Sequence, residues 1–210
     1  MIHLHNMDCM EAMAQMPDNA FDLAIVDPPY GILNKTKRGK ERSEHLYGKK
    51  TKHWDYKPSK KYFEELKRVS KNQIIWGYNH FANVLPVTNS LIVWDKKNPL
   101  PTFSDGEVAY TSFTKYGIRI FRYTYHGSIC HKESKRIHPT QKPIALYTWI
   151  LNKYAQKGWR ILDTHLGSGS SAIAAYNAGY EFVGYEIDKD YYTAAKKRFE
   201  NHKRQLRMFV

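Results

Sequence analysis

The chain has 210 residues, 42% of them hydrophobic, and a formal net charge of +13 at pH 7. This size and apolar content predict one hydrophobic core in a single domain, 1–210, and the charge indicates a polyanionic partner. Two cysteines are too few for a disulfide framework, and the sequence shows no signal peptide or twenty-residue apolar run, so we expect a cytoplasmic protein with no membrane partner.

The first elements are predicted to be a strand, a helix and a second strand. Residues 2–5 alternate weakly between apolar and polar side chains, which predicts a short strand, and 9–16 predict a helix that stops at Pro17. Residues 21–26 are nearly all apolar, as in a strand that is buried on both faces of a parallel sheet.

The sequence Asp27-Pro28-Pro29-Tyr30 follows this second strand. The two prolines fix φ and remove two backbone donors, so the chain cannot continue as a central strand there. Asp27 is therefore expected at the carboxyl end of the strand, the edge at which open α/β sheets bind ligands. A carboxylate, a proline carbonyl and a tyrosine ring suit a flat molecule with an amino group. An ordinary strand end with a proline turn would show the same residues.

Two stretches are candidates for contact with nucleic acid. Residues 31–57 lack clear periodicity, which predicts a long loop, and 34–61 have eleven basic and three acidic residues, a net charge of +8. Residues 116–135 interleave aromatic and basic side chains, which suits stacking on bases and contact with phosphates. A half-exposed β-ribbon would have the same pattern.

The rest of the chain alternates strands with helices, which predicts a doubly wound α/β sheet. Further helices are predicted at 62–69, 79–84, 138–154, 172–178 and 190–204. Further strands are predicted at 73–77, 90–95, 107–113, 159–163 and 181–186, with 107–113 antiparallel, for a total of seven.

A second motif, Gly167-Ser168-Gly169, lies between a predicted strand and a predicted helix. Glycines at such a turn let the backbone approach a ligand, and the helix N-terminus favours an anion. Glu186 ends the next strand, where a carboxylate can hold ribose hydroxyls. The pattern Gly-x-Gly-x-x-Ala also fits a dinucleotide site or a plain tight turn, so by itself it leaves the ligand open.

Together, Asp-Pro-Pro-Tyr and Asp163-x-x-x-Gly167-x-Gly169 resemble the motifs of DNA amino-methyltransferases that use S-adenosylmethionine. Their order is similar to that of the β class of adenine-N6 methyltransferases, and the resemblance covers almost the whole chain. It implies a Rossmann-like methyltransferase fold with a circularly permuted motif order and a mostly parallel, seven-stranded sheet with one antiparallel strand. It also implies double-stranded DNA as the partner of a prokaryotic or phage-encoded enzyme, small DNA-contacting insertions at about 31–61 and 114–137, no metal, and a homodimer as one assembly.

The resemblance also implies the site residues. The catalytic group is Asp27, Pro28, Pro29 and Tyr30: the Asp27 carboxylate and the Pro28 carbonyl would accept hydrogen bonds from the 6-amino group of a flipped-out adenine, and Tyr30 would stack on it with its ring rather than use its hydroxyl.

The cofactor group implied by the resemblance runs through four segments of the chain. Its members are Asp8, Cys9, His138, Thr140, Gln141, Lys142, Asp163, Thr164, His165, Gly167, Ser168, Gly169, Ser170, Glu186 and Ile187. Asp8 would contact the adenine amine of the cofactor, the loop after Asp163 its methionine end, and Glu186 its ribose. His165 and Ser170 stand where the family often has an aromatic residue and Thr.

Several alternatives stay open at this point. Cytosine-N4 methyltransferases resemble the same pattern but more often have Ser in place of Asp27. RNA or a protein glutamine amide would present a similar planar amine, although the basic charge argues against the amide. A nicotinamide-dependent oxidoreductase would share the glycine turn but gives no use for Pro-Pro-Tyr. A non-catalytic nucleic-acid-binding module would have no need of intact Asp27 and Glu186.

Overall fold

The computed structural model describes residues 1–32, 55–97, 104–126, 129–130 and 136–207. Most of the first predicted insertion (33–54) and part of the second (127–128 and 131–135) lie outside these residues. The described strands are β1 Ile2–Asn6, β2 Phe21–Val26, β3 Ser70–Trp76, β4 Leu91–Asp95, β5 Gly106–Thr111, β6 Arg119–Arg122, β7 Tyr125–His126, β8 Ile129–Cys130, β9 Arg160–Asp163 and β10 Glu181–Glu186. The described helices are α1 Cys9–Ala14, α2 Lys60–Val69, α3 Tyr78–Phe81, α4 Ile144–Tyr154, α5 Ser170–Asn177 and α6 Lys189–Arg207.

Eight strands form one sheet in the order β1-β10-β9-β2-β3-β5-β4-β6, and β7 pairs with β8 as a separate hairpin. All strands of the large sheet are parallel except β5, which is antiparallel to both β3 and β4. The predicted α/β class, the mostly parallel sheet and the one antiparallel strand are confirmed. The late strands β9 and β10 lie between β1 and β2, which is the permuted order.

Two details differ from the predictions. The sheet has eight strands rather than seven, because β6 adds to the edge beside β4. Its residues are mostly exposed, so it has no apolar run to mark it. The helix predicted from His138 begins only at Ile144. Pro143 disfavours helical backbone at the residue before it, so 138–142 form a turn instead.

Helices cover both faces of the sheet. Leu23 and Ile25 of β2 pack with α4, α5 and α6 on one face, and Ala24 and Val26 pack with α1, α2 and α3 on the other. Because β2 is buried on both sides, it needs the continuous apolar run that its sequence has. None of the helices described here is both long enough and apolar enough to cross a lipid bilayer.

The strand register brings the polar strand ends together. The carboxyl ends of β1, β10, β9, β2 and β3 lie at one edge of the sheet; Asn6, for example, is opposite Glu186. Asp8, Asp27 and Asp163 therefore follow or end neighbouring strands at the edge where parallel sheets bind ligands.

Candidate active site

Asp27 and Tyr30 are joined by a hydrogen bond within their own motif. The Tyr30 hydroxyl donates to Asp27 Oδ1 at 2.7 Å, which closes the turn that the two prolines impose. Burial, together with the neighbouring Asp27 carboxylate, raises the pKa of Tyr30 well above its usual value, so the phenol stays a donor. Tyr30 thus has a hydroxyl contact in addition to the ring contact that the resemblance implied.

Lys142 belongs to the same cluster as Asp27. Its Nζ lies 2.5 Å from Asp27 Oδ2 and 2.9 Å from Glu107 Oε2, and its side chain is only 3% exposed. Glu107 is on β5, and its other oxygen lies 2.6 Å from Lys96 Nζ. The resemblance implied a cofactor contact for Lys142, and the structure places its ammonium on Asp27. Sequence reasoning missed Glu107 and Lys96 altogether.

The charges in this cluster differ in how well they are compensated. Burial opposes the charge of Lys142, but the carboxylates of Asp27 and Glu107 outweigh it and raise the pKa of Lys142. Burial would also raise the pKa of Glu107, but two nearby lysines lower it to about 2. Asp27 has one lysine, and burial raises its pKa despite that partner. Asp27 is therefore the more basic carboxylate of the two.

The rings of Tyr30, His80 and Phe81 form an aromatic wall beside Asp27. The Tyr30 ring stacks on His80, with centroids 4.6 Å apart and planes at 19°, and meets the edge of Phe81 at 5.8 Å. Gly77, between β3 and α3, makes room for this ring: its φ is +79°, and a Cβ there would lie 2.2 Å from Tyr30 Cε1. The sequence does carry a signal for this position, namely a glycine directly after the apolar strand that ends in Trp76.

Described residues on both sides of the stretch 33–54 lie beside the same wall. The Gly31 backbone N–H donates to Asp55 Oδ1 at 3.0 Å, and Asp55 is buried. Lys57 Nζ lies 5.5 Å from the centroid of the Phe81 ring. Gly31 and Asp55, which flank the stretch 33–54, are therefore held together next to Tyr30.

Glu186 is held between the glycine turn and the start of α6. Its Oε2 accepts from the Gly167 N–H at 2.8 Å, and its Oε1 accepts from the Asp188 N–H at 3.0 Å. Burial raises the pKa of Glu186, against the opposing effect of these backbone N–H groups. Each carboxylate oxygen has a second lone pair, so both can accept a further hydrogen bond.

Asp163 ends β9 and braces the loop that follows. Its Oδ2 accepts from Ser171 Oγ at 2.6 Å and its Oδ1 accepts from the His165 N–H at 3.0 Å. Burial raises the pKa of Asp163 to about 7 and lowers that of His165 to about 4. Tyr62 of α2, which sequence reasoning missed, has its hydroxyl 2.6 Å from Thr164 Oγ1.

The glycine turn is braced from α6. Gly169, with a φ of +74°, precedes the first residue of α5, and the Ser168 and Ser170 hydroxyls are 3.1 Å apart. Arg198 donates from Nη1 to the Ser168 carbonyl at 3.0 Å and to Ser170 Oγ at 2.8 Å. Ser168 of the turn and Ser170 at the start of α5 are consequently held from α6.

The turn that contains His138, Thr140 and Gln141 lies between the Asp27 cluster and the glycine turn. The His138 ring meets Tyr191 edge-on at 4.4 Å and lies about 3.5 Å from where a Cβ of Gly167 would be. Burial lowers the pKa of His138 to about 3, so the ring is neutral. Thr140 Oγ1 is 3.2 Å from His138 Nδ1, and Gln141 donates to the Tyr125 hydroxyl at 2.8 Å.

Asp8, Cys9 and Ile187 lie at the β1 and β10 end of the site. Asp8 is the N-cap of α1, and its Oδ1 accepts a backbone N–H of that helix at 2.7 Å. Burial raises the pKa of the half-buried Cys9 thiol to about 12. Asn6 donates to the backbone carbonyls of Glu186 and Ile187, and the Ile187 side chain is 59% exposed.

Comparison with known proteins gives matches over nearly the whole chain. Residues 21–197 match the N6/N4 methyltransferase family, described as DNA methylase. The type II methyltransferase M2.MboI of Moraxella bovis is 26% identical over 241 residues, covering 94% of this chain and 87% of that protein.

Solved structures of the same fold include M1.HpyAVI in complex with SAM (TM-score 0.64, 22% identity, 94% of this chain and 100% of that chain). They also include the cytosine-N4-specific PvuII DNA methyltransferase (TM-score 0.66, 12% identity, 94% and 86%). At these identities the likeness establishes the shared fold. The family match spans well over half of the sequence, and the chain therefore belongs to the N6/N4 family of DNA methylases.

Proposed function

We propose that this protein moves a methyl group from S-adenosylmethionine to the 6-amino group of adenine in double-stranded DNA. The observation that carries the proposal is the partly buried Asp27 carboxylate, fixed beside the Tyr30 ring at the same sheet edge as Glu186 and the glycine turn. A methyl acceptor and a methyl donor would meet along that edge.

The residues at the Glu186 end fit the cofactor. Glu186 keeps acceptor capacity for two ribose hydroxyls, and the turn from Gly167 to Gly169 exposes backbone for a close approach. Asp8 and the exposed Ile187 would flank the adenine ring. S-adenosylmethionine supplies an electrophilic methyl on a sulfonium, which becomes a neutral thioether once the methyl has left. The fold neighbour M1.HpyAVI was solved as a SAM complex, which supports this assignment.

The chain's own residues would position the amine and handle its proton. The 6-amino lone pair of adenine is delocalised into the ring, and the group is unreachable inside a duplex until the base is flipped out. Asp27 and the Pro28 carbonyl would accept hydrogen bonds from the amine, which draws its lone pair out of conjugation, while Tyr30 stacks on the base. The raised pKa of Asp27 suits a carboxylate that takes up the proton released by the methylated nitrogen. Holding the amine and the methyl group in line supplies most of the remaining rate acceleration.

The acid at position 27 favours adenine over cytosine, because cytosine-N4 enzymes more often carry Ser there. The test is incubation with tritiated cofactor and mixed-sequence duplex DNA, followed by digestion to nucleosides. We expect label in N6-methyldeoxyadenosine. Label confined to methyldeoxycytidine, as for the activity named for PvuII methyltransferase, or no label in any DNA would contradict the proposal.

Glu186→Ala is expected to weaken cofactor binding about tenfold or more, because the ribose hydroxyls lose a charged acceptor worth roughly 1.5–3 kcal/mol. The substitution also frees the Gly167 N–H, so the glycine turn loses a support. Titration calorimetry measures the affinity. Asp105→Ala, at an exposed acid, is the matched control. Unchanged affinity in Glu186→Ala would place the cofactor elsewhere.

Lys49, Lys50 and Lys52 lie outside the described residues, and their contact with DNA phosphates stays a prediction. Replacing all three by Ala should weaken binding to any sequence and flatten its dependence on log salt by up to about 0.9 per lost contact. The control is the triple replacement of Lys67, Lys153 and Lys157, exposed residues that precede the amino ends of β3 and β9. Equal slopes for both triple variants would refute a specific role for the segment.

Two further expectations concern architecture. The single domain spanning 1–210 and the homodimer both stay predictions. Limited proteolysis tests the first, and sedimentation velocity of the full chain tests the second.

A further inference from the structure

We propose that Lys142 is a positioning residue for methyl transfer, which fixes the Asp27 carboxylate in its reactive orientation, and that Glu107 with Lys96 holds Lys142 in place. The inference rests on the proposed function, because it gives Lys142 a role only if Asp27 receives the amine. It assigns Lys142, which the resemblance placed in the cofactor group, to the charged cluster around Asp27.

The first argument is the geometry around Asp27. Tyr30 donates to one carboxylate oxygen, and Lys142 contacts the other at 2.5 Å. Both oxygens are thereby held from different parts of the chain, which fixes the plane of the carboxylate. Each oxygen keeps a lone pair with which to accept a hydrogen bond from the amine.

The second argument is that Lys142 is itself fixed on several sides. Its ammonium also contacts Glu107 Oε2 at 2.9 Å, and it lies 5.4 Å from the Trp76 ring centroid and 5.9 Å from that of Tyr30. A lysine side chain has many rotamers, so burial between two carboxylates and two aromatic rings is needed to hold it in one.

The third argument is the alternation of charge. Lys96, Glu107, Lys142 and Asp27 follow one another as cation, anion, cation and anion. Lys142 and Lys96 together keep Glu107 ionised, so Glu107 remains an acceptor for Lys142 and does not compete for the proton. The alternation predicts opposite electrostatic effects on Asp27 when its two nearest charged neighbours are neutralised: loss of Lys142 removes an attraction, and loss of Glu107 removes a repulsion.

The titratable groups that face Asp27 come from several elements. They are Tyr30 of its own motif, Tyr62 of α2, Glu107 of β5, Lys142, Tyr147 of α4 and Asp163 of β9. The three tyrosines have pKa values raised well above the working range, and Glu107 titrates near 2. Asp163, whose pKa burial raises to about 7, is present in every variant, so the proposal is tested by differences between variants.

The experiment is the pH dependence of kcat for DNA methylation in the wild-type enzyme and in four variants. The acidic limb of this profile is the pH range in which kcat rises as Asp27 loses its proton. Lys142→Met should move this limb to higher pH by about one to three units, because Asp27 loses the neighbouring positive charge of Lys142. The rate at pH 7 should then fall more than the rate at pH 9. Glu107→Gln should move the limb to lower pH, and Lys142→Arg should keep it near the wild-type position. Lys153→Met, at an exposed lysine, is the control for the substitution type.

Cofactor affinity is measured in parallel by calorimetry and should be unchanged in Lys142→Met. A uniform loss of rate without a shift of the limb, or a lost cofactor affinity, would overturn the positioning role. If Lys142→Met does not fold, the pH of the acidic limb in Lys142→Arg and in Glu107→Gln tests the proposal. A lysine with only a structural role predicts no shift of the limb to lower pH in Glu107→Gln. Failure of the wild-type enzyme to methylate adenine would instead overturn the proposed function.

Discussion

Asp27→Ala is expected to reduce methyl transfer by roughly 10²–10⁴-fold or to below detection, since the amine loses both its hydrogen-bond acceptor and its proton acceptor. Cofactor affinity should be largely retained, because Asp27 adjoins Lys142 and Tyr30, whereas Glu186, for which we propose the ribose contact, accepts a hydrogen bond from the glycine turn. Single-turnover rates and cofactor titrations on the same preparation measure the two effects separately.

The variant leaves Lys142 with Glu107 as its remaining carboxylate, so a thermal unfolding curve belongs with the kinetic data. Asp27→Asn keeps the shape and one oxygen acceptor but removes the charge, and it should also be strongly impaired. Asp105→Ala serves again as the control at an exposed acid. Near-normal turnover in Asp27→Ala would mean that the catalytic site lies elsewhere.

Tyr30→Ala has the second largest expected effect. It removes base stacking worth roughly 1–3 kcal/mol and also the hydrogen bond to Asp27 Oδ1. We expect weak residual activity. Tyr30→Phe restores the ring but not the hydroxyl, so its rate should lie between those of Ala and wild type, whereas ring stacking alone would predict a nearly full rate.

These effects are measured as the methylation rates of the variants on one DNA substrate, and cofactor titrations of each variant accompany the rates. Tyr78→Phe, which removes a hydroxyl from a neighbouring residue of α3, is the control. If Tyr30→Phe is as inactive as Tyr30→Ala, the stacking role is refuted. If it is as active as wild type, the hydrogen bond to Asp27 is dispensable.

The sequence predicted those parts of the molecule that depend on local pattern. The apolar run of β2 and the two prolines after it place Asp27 at a strand end, and the structure has it there. The same reasoning placed Glu186 and Asp163 at the ends of β10 and β9. Parallel strands share one carboxyl edge, so neighbours in space could be inferred without knowing the strand order.

Contacts that depend on the exact strand order could not be predicted in this way. Glu107 reaches Lys142 only because the antiparallel β5 lies directly beside β3. Tyr62 is one of several apolar-face residues of α2, and nothing in the helical period distinguishes it as the partner of Thr164. β6 escaped prediction because an exposed edge strand lacks a buried face.

The hydrogen bond between Gly31 and Asp55 has a consequence for how this enzyme can diversify. It joins residues on either side of the stretch 33–54 next to Tyr30, so we expect a replacement of the intervening sequence to leave these flanking residues in place. The entropy of closing such a stretch grows only slowly with its length. We therefore expect that this stretch can be exchanged between relatives with a change of target sequence and no change in the residues around Asp27. Transplanting it between relatives, with cofactor affinity conserved and target preference altered, is the direct demonstration.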